Sequence, residues 1–170
     1  MTIAVTRKPL DTLLDRLTSN YTPDFRKLNQ RPFMILLDYG SLINGALNHH
    51  LLDGTPYLGT ATTLCEMFRL EHTVSQAVAF DERSNHSKGR IRGEAYLVDP
   101  LQMLQIDKFY QNGLVFQRKE VSCTLDEQRT KHEFITSAWM YLGIDHYWKT
   151  KPALIRGLNY VEQGKLIYEW

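Results

Sequence analysis

One short stretch of the chain joins an apolar run to a turn that is able to bind a negative charge. The run from Phe33 to Leu42 is long enough for one buried strand and ends in the sequence Tyr39-Gly40-Ser41-Leu42. Gly40 has no Cβ, so the backbone can approach a bound group closely there. Successive amides of a turn can point into one concavity and hold a carboxylate or an oxyanion. This turn is the first candidate binding site. The alternative interpretation is an ordinary strand followed by a turn with no binding role.

The adjacent histidines His49 and His50 do not suit a metal site. Neighbouring side chains point apart on a strand and about 100° apart on a helix, so the two cannot ligate one ion. The other histidines of the chain lack the spacing of metal ligands. We therefore expect no metal and no cofactor. We interpret Asn48 to Leu52 as a short helical turn that holds the preceding loop in place.

Length and composition narrow the class of protein. The chain has 170 residues, which suits one domain with a real core, and its formal net charge is +1. A charge so close to zero gives no electrostatic surface for nucleic acid or for an anionic membrane, and no stretch is apolar for long enough to span a bilayer. Cys65 and Cys123 are isolated thiols, which suits a reducing compartment. We expect a cytoplasmic protein that binds neither nucleic acid nor membrane.

The segments around the turn predict one α+β domain over residues 1–170. Leucines at helical spacing from Pro9 to Leu17 predict a helix within an N-terminal extension, residues 1–32. Apolar and β-branched segments predict strands through residues 33–143. A polar segment from Asp81 to Arg90 interrupts them and is typical of an exposed hairpin loop.

Residues 144–170 form a C-terminal extension that is rich in aromatic and basic side chains. Such a mixture can bind nucleic acid, but the chain has no compact basic run. We expect the extension to pack across the domain, and residues Pro152 to Ile155 are able to begin a helix. The extension is also the candidate contact surface for a protein partner, through Tyr147, Trp148, Tyr160, Tyr168 and Trp170.

Several short motifs follow one another in the chain, and each alone is a weak signal. They are Tyr39 to Leu42, Asn48 to Leu52, Leu58 to Thr62, Ile91 to Val98, Leu101 to Asp107, Gln117 to Val121 and Ala138 to Tyr141. In this order they resemble the gamma-glutamylcyclotransferase-like family, which is also known through plant avirulence-induced proteins. The resemblance implies a small closed or nearly closed mixed β-barrel with flanking helices over residues 33–143.

The resemblance also implies a reaction. In the family, the α-amine of a γ-glutamyl group attacks its own γ-carbonyl, which closes 5-oxoproline and releases the attached amine. Such a reaction needs an anchor for the α-carboxylate, donors for the developing oxyanion and a group that transfers a proton. By the resemblance, the amides of Gly40, Ser41 and Leu42 supply the first two. A glutamate in a Leu-Asp-x-x-Glu-Gly pattern supplies the third.

This chain departs from the family pattern at that glutamate. Tyr110 stands at the glutamate position and Gln111 at the glycine position. An ordinary phenol has a pKa of about 10, so at neutral pH it donates hydrogen bonds well and is a poor base. The loss of a positioned general base typically costs about 10²–10⁴-fold in rate. The missing carboxylate therefore puts the family's activity in doubt.

Three other carboxylates are candidates to replace the glutamate, and the sequence does not say which of them faces the site. Asp38 precedes the turn and points away from Tyr39 along the strand, Glu94 lies in a predicted strand, and Asp81 lies at the edge of a loop.

The favoured prediction is a family member that binds a small acyl or γ-glutamyl metabolite at the turn, with weak, altered or absent cyclotransferase activity. Two alternatives stay open. One is an active cyclotransferase that uses a different carboxylate, Asp81 or Glu94. The other is a non-catalytic interaction or inhibitor module built on the same fold.

Overall fold

The structure, a computed structural model, describes residues 33–66, 68–72, 76–81, 89–127, 132–149, 155–156, 159–162 and 165–168. The helix predicted from Pro9 to Leu17 and most of the predicted loop after Asp81 lie outside these residues.

Five strands close into a mixed barrel. In order around the barrel they are β1 (Met34–Asp38), β7 (His132–Gly143), β6 (Phe116–Glu127), β2 (Tyr57–Thr63) and β5 (Arg90–Val98). The closing strand is β1, which pairs in parallel with β7 and antiparallel with β5. The predicted closed mixed barrel with few helices is therefore confirmed.

Strand β1 is buried on both of its faces. Ile35 and Leu37 pack in one apolar cluster together with Tyr39, and Leu36 packs in a second cluster on the other face. Because successive side chains of a strand alternate, Asp38 shares the face of Leu36 and points away from Tyr39. The alternation expected from the sequence therefore holds at the end of β1.

A second, smaller sheet is formed by β4 (Ala77–Asp81), β3 (Phe68–His72) and β8 (Ile155–Arg156), in that order. The last two strands, β9 (Asn159–Glu162) and β10 (Lys165–Tyr168), form a hairpin whose β10 runs parallel to β5. The helix suggested from Pro152 onward is wrong at Ile155, because this residue pairs with His72 of β3 in a sheet.

Three short helices flank the strands of the described region: a 3₁₀ helix (His49–Leu52), α1 (Pro100–Phe109) and α2 (Asp145–Trp148). The Asp99 carboxylate caps α1 by accepting hydrogen bonds from the amides of Leu101 and Gln102 at 2.7 and 2.9 Å. The predicted helical turn at Asn48 to Leu52 is present, and the motif from Leu101 to Asp107 lies within α1. None of the described helices is long and apolar enough to cross a membrane.

Trp148 of α2 belongs to the core rather than to an exposed contact surface. Its side chain is buried, stacks edge-on against Phe116 and donates a hydrogen bond to the Val115 carbonyl at 3.0 Å. Trp148 is therefore a core residue, and contact of the C-terminal segment with a protein partner stays a prediction.

The residue after Tyr110 adopts a left-handed backbone conformation, which explains why a glycine suits this position. Gln111 has a φ of 48° directly after the C-terminal cap of α1. A side chain in this conformation costs about 1–2 kcal/mol, whereas glycine adopts it freely.

Gln111→Gly is expected to stabilise the protein by about 0.5–1 kcal/mol, because relief of the backbone strain exceeds the extra entropy that glycine loses on folding. Urea denaturation measures the change. The matched control is Gln117→Gly, at an exposed strand position, which should destabilise the protein. A lower midpoint for Gln111→Gly would contradict the expected relief of strain.

Candidate functional site

The side chain of Tyr39 ties three strands together through its hydroxyl. Its hydroxyl donates to the Tyr141 carbonyl at 2.5 Å and accepts from the Ala79 amide at 2.9 Å. The residue is buried, and burial raises the pKa of its phenol. The contact of Tyr39 with a ligand stays a prediction, and the residue's polar atom joins β1 to β4 and β7 on the other face of the barrel wall.

Packing against β4 requires a glycine at position 40. A Cβ built on Gly40 would lie 2.8 Å from the Cβ of Ala77 at the start of β4. The backbone of Gly40 is not among the positive-φ glycines of the described residues. The missing side chain therefore permits β1 and β4 to approach each other, and no left-handed conformation is involved.

The amides of the turn are occupied by the chain's own carboxylate. Asp38 Oδ2 accepts hydrogen bonds from the amide of Gly40 at 3.1 Å and from the amide of Leu42 at 2.8 Å. The Asp38 side chain is buried, with 2% of its surface exposed. The expectation that these two amides are open to a ligand's anion is therefore corrected, because Asp38 takes the place of that anion.

Tyr110 supplies the third donor to the same carboxylate. Its hydroxyl donates to Asp38 Oδ1 at 2.5 Å, across 72 residues of sequence. The Tyr110 ring stacks on Tyr141 with centroids 4.3 Å apart and contacts Phe116 edge-on. Burial raises the pKa of the Tyr110 phenol well above its ordinary value, and the neighbouring Asp38 charge acts in the same direction. Tyr110 is thus a fixed donor at neutral pH.

Ser41 is buried beside the same cluster. Its interaction with the Tyr110 side chain partly opposes the rise in the Tyr110 pKa. The structure thus joins Asp38 to Tyr110 and to the amides of Gly40 and Leu42 in one hydrogen-bonded cluster, which Ser41 adjoins.

A second carboxylate lies beside the first on the neighbouring strand. Glu94 of β5 is directly opposite Asp38 of β1 in the antiparallel register, so their side chains are neighbours on one face. One oxygen of Glu94 accepts from the Asn44 amide at 2.7 Å and also from the Tyr96 hydroxyl. Glu94 is only partly buried, so it is the carboxylate of the pair that solvent can reach.

Burial and hydrogen bonding act on the pKa of Asp38 in opposite directions. Burial raises the pKa of Asp38 above its ordinary value, and the nearby charge of Glu94 adds to the rise. The hydrogen bonds from Tyr110 and from the two turn amides act in the opposite direction. A buried carboxyl group with a perturbed pKa is a recognised sign of a functional site, although structural networks also produce it.

Asp81 does not join this cluster. Its carboxylate forms an ion pair with Lys119, with a distance of 2.6 Å between Oδ2 and Nζ. Of the three candidate replacement carboxylates, the structure therefore brings Asp38 and Glu94 together at the turn and pairs Asp81 elsewhere.

The importance of Asp38 to the turn was not predicted from the sequence. A local signal did exist, since an aspartate often hydrogen-bonds the backbone amide two residues later. The contact of the His49 side chain with the turn was likewise not predicted directly, since the sequence predicted only a helical turn at this residue. Its Nδ1 lies 2.7 Å from the Leu42 carbonyl and so ties the 3₁₀ helix to the turn.

Comparisons with known proteins agree with this fold. A sequence model of the family described as "Gamma-glutamyl cyclotransferase, AIG2-like" matches residues 36–162. Curated protein sequences gave no significant match.

Solved structures show the same fold at low sequence identity. An AIG2-like protein from Mus musculus has a TM-score of 0.55 and 20% identity, over 71% of this chain and 84% of that one. An uncharacterised protein from Pyrococcus horikoshii has a TM-score of 0.51 and 21% identity, over 77% of this chain and 87% of that one. A protein specific to uropathogenic E. coli has a TM-score of 0.54 and 9% identity, over 74% and 87%.

Proposed function

The chain belongs to the gamma-glutamyl cyclotransferase, AIG2-like family, and from this we propose that it binds a small acyl metabolite beside the Tyr39–Leu42 turn and releases 5-oxoproline from γ-glutamyl compounds slowly or not at all.

The observation that carries the proposal is the hydrogen bond between Tyr110 and Asp38. The family's reaction needs a group that accepts a proton from the substrate's ammonium and returns it to the leaving amine. By the resemblance that group is a glutamate where this chain has Tyr110, whose phenol keeps its own proton at neutral pH because its pKa is raised. The reaction as the family performs it therefore lacks its proton shuttle here.

The binding part of the proposal has support at the solvent-facing edge of the cluster. Glu94 is partly buried, borders Asp38 and is held by Asn44 and Tyr96. A carboxylate in this position can accept hydrogen bonds from an amine or amide group of a ligand. The ligand class is thus a small acyl compound that carries such a group.

Assay of 5-oxoproline release from γ-glutamyl dipeptides tests the catalytic part. We expect a rate about 10²–10⁴-fold below that of an active family member assayed in parallel, because a positioned general base is absent. Tyr110→Phe, which removes only the hydroxyl, should leave the low rate unchanged. Turnover that matches the active member, and that Tyr110→Phe does not alter, would refute the proposal.

Thermal shift measurements test the binding part. A ligand that binds only the folded state raises the melting temperature by mass action. A panel of small acyl amides and γ-glutamyl compounds is therefore tested on the native protein and on Glu94→Gln. The variant should show a smaller shift with any compound that binds the native protein. The absence of a shift with every compound would leave binding unsupported and would favour the interaction-module alternative.

A second candidate function is favoured by the raised pKa of Asp38. A carboxyl group whose pKa is raised toward neutrality is a better general base than an ordinary one, so Asp38 can replace the glutamate in an active cyclotransferase. Glu94, its partly exposed neighbour, is the other carboxylate available there. If the protein turns over γ-glutamyl dipeptides, loss of activity in Asp38→Asn or in Glu94→Gln identifies the base.

A further inference from the structure

We propose that Asp38 determines the specificity of this site: its carboxylate fills the position in which an anion would bind the turn, so the site selects acyl ligands that carry no carboxylate at that end. The inference deepens the proposed function and rests on it for the assignment of the turn as the ligand site.

The hydrogen bonds of Asp38 are those that a bound carboxylate would make. One oxygen bridges two turn amides, Gly40 and Leu42, and the other accepts from the Tyr110 hydroxyl. An aspartate that only stabilises its own turn typically accepts a hydrogen bond from the backbone amide two residues later. The additional bond to Tyr110 is long-range in sequence, which makes the cluster a built carboxylate site with an internal occupant.

The charges around Asp38 also oppose a second anion. The groups that affect its carboxyl are the two amides, the Tyr110 phenol and the carboxylate of Glu94. A ligand carboxylate at this position would meet Asp38 and Glu94 together, and like charges at such distances repel. A neutral or cationic end of a ligand meets no such repulsion.

The occupied position leads to a specificity different from that implied by the resemblance. In the family's reaction the substrate carries an α-carboxylate that needs an anchor. Here the Asp38 carboxylate already occupies the amides that would anchor it. A γ-glutamyl compound with a free α-carboxylate therefore fits only if Asp38 leaves the turn. An acyl compound whose α-carboxylate is absent or amidated does not compete with Asp38.

Small anions probe the position directly in a variant that lacks the internal carboxylate. Asp38→Ala removes the carboxylate and leaves the amides of Gly40 and Leu42 without their acceptor. Sodium formate is the probe, formamide is its uncharged equivalent of similar size, and sodium chloride controls for ionic strength. Thermal unfolding and the ¹H–¹⁵N resonances of Gly40 and Leu42 are recorded for the native protein, for Asp38→Ala and for Asp38→Asn, which retains an oxygen acceptor of the same shape.

We expect formate to raise the melting temperature of Asp38→Ala by about 3–8 °C at saturation and to move both amide resonances. Formamide and chloride should not do so, and formate should have no such effect on the native protein or on Asp38→Asn. If Asp38→Ala folds only in formate, that rescue supports the proposal. If it stays unfolded even in formate, Asp38→Ser is titrated in its place. A folded variant without a specific response to formate would overturn the proposal, whatever the outcome of the 5-oxoproline assay.

Discussion

The double variant Asp38→Ala/Tyr110→Glu is expected to release 5-oxoproline from γ-glutamyl dipeptides about 10²-fold or more faster than either single variant. Asp38→Ala frees the amides of Gly40 and Leu42 for the substrate's carboxylate, and Tyr110→Glu places a carboxylate where the resemblance puts the family's base. Each single variant leaves one requirement unmet. Tyr110→Glu alone also sets its new carboxylate beside Asp38, where repulsion opposes ionisation of both.

The matched control for this gain of activity is Asp38→Ala/Tyr110→Gln. Glutamine has the shape of glutamate but cannot accept the proton, so the control should bind the dipeptide and remain slow. The rate is measured as 5-oxoproline formed under saturating substrate, after the melting temperature of each variant has shown that it is folded. Equal rates for the Glu and Gln double variants would mean that a carboxylate at position 110 does not act as the base.

Gly93→Ala is expected to cost at least about 3 kcal/mol in the free energy of unfolding. A Cβ at Gly93 would lie 2.1 Å from the Asp38 carbonyl oxygen and 3.0 Å from the Cα of Tyr39. Both neighbours are backbone atoms, so no side-chain rotation can relieve the contact. The methyl group would therefore separate β5 from β1 at the residue that carries the buried carboxylate.

Urea denaturation measures this loss, and Gly54→Ala is the control. Gly54 has a φ of 74° but open space where a Cβ would be, so the control carries backbone strain of about 1–2 kcal/mol without a clash. Gly93→Ala should be clearly the less stable of the two, and it should also abolish any ligand-induced thermal shift. A Gly93→Ala protein as stable as the Gly54→Ala protein would show that the strands can separate at little cost.

Much of the fold followed from short-range sequence patterns. The apolar run before Tyr39 predicted β1, and the resemblance carried by the ordered motifs implied the helix at Leu101 to Asp107 and the barrel. The strand depends on a local apolar run that neighbouring residues determine among themselves, whereas the barrel was recognised only through the family pattern. The C-terminal strands were missed, because short strands such as Ile155–Arg156 are defined by partners far away in the sequence.

The substitution at the candidate site was equally visible in the sequence. Comparison with a linear motif is enough to show Tyr110 in place of a glutamate and Gln111 in place of a glycine, and the φ of 48° at Gln111 agrees with a position that favours glycine. The consequence of the first substitution was not visible. Nothing local to Tyr110 indicates which group its hydroxyl meets.

Only the tertiary structure decided how the site is filled. Closure of the barrel sets the register that brings Glu94 opposite Asp38, and the packing of α1 carries Tyr110 to a carboxylate that is 72 residues away. The same closure places the Tyr39 hydroxyl between strands. It also brings the backbone of β1 so close to Gly93 that no side chain fits there. The sequence alone determines which groups are available at each position. Their partners depend on long-range contacts, because a buried polar group bonds to whatever the folded chain places within reach.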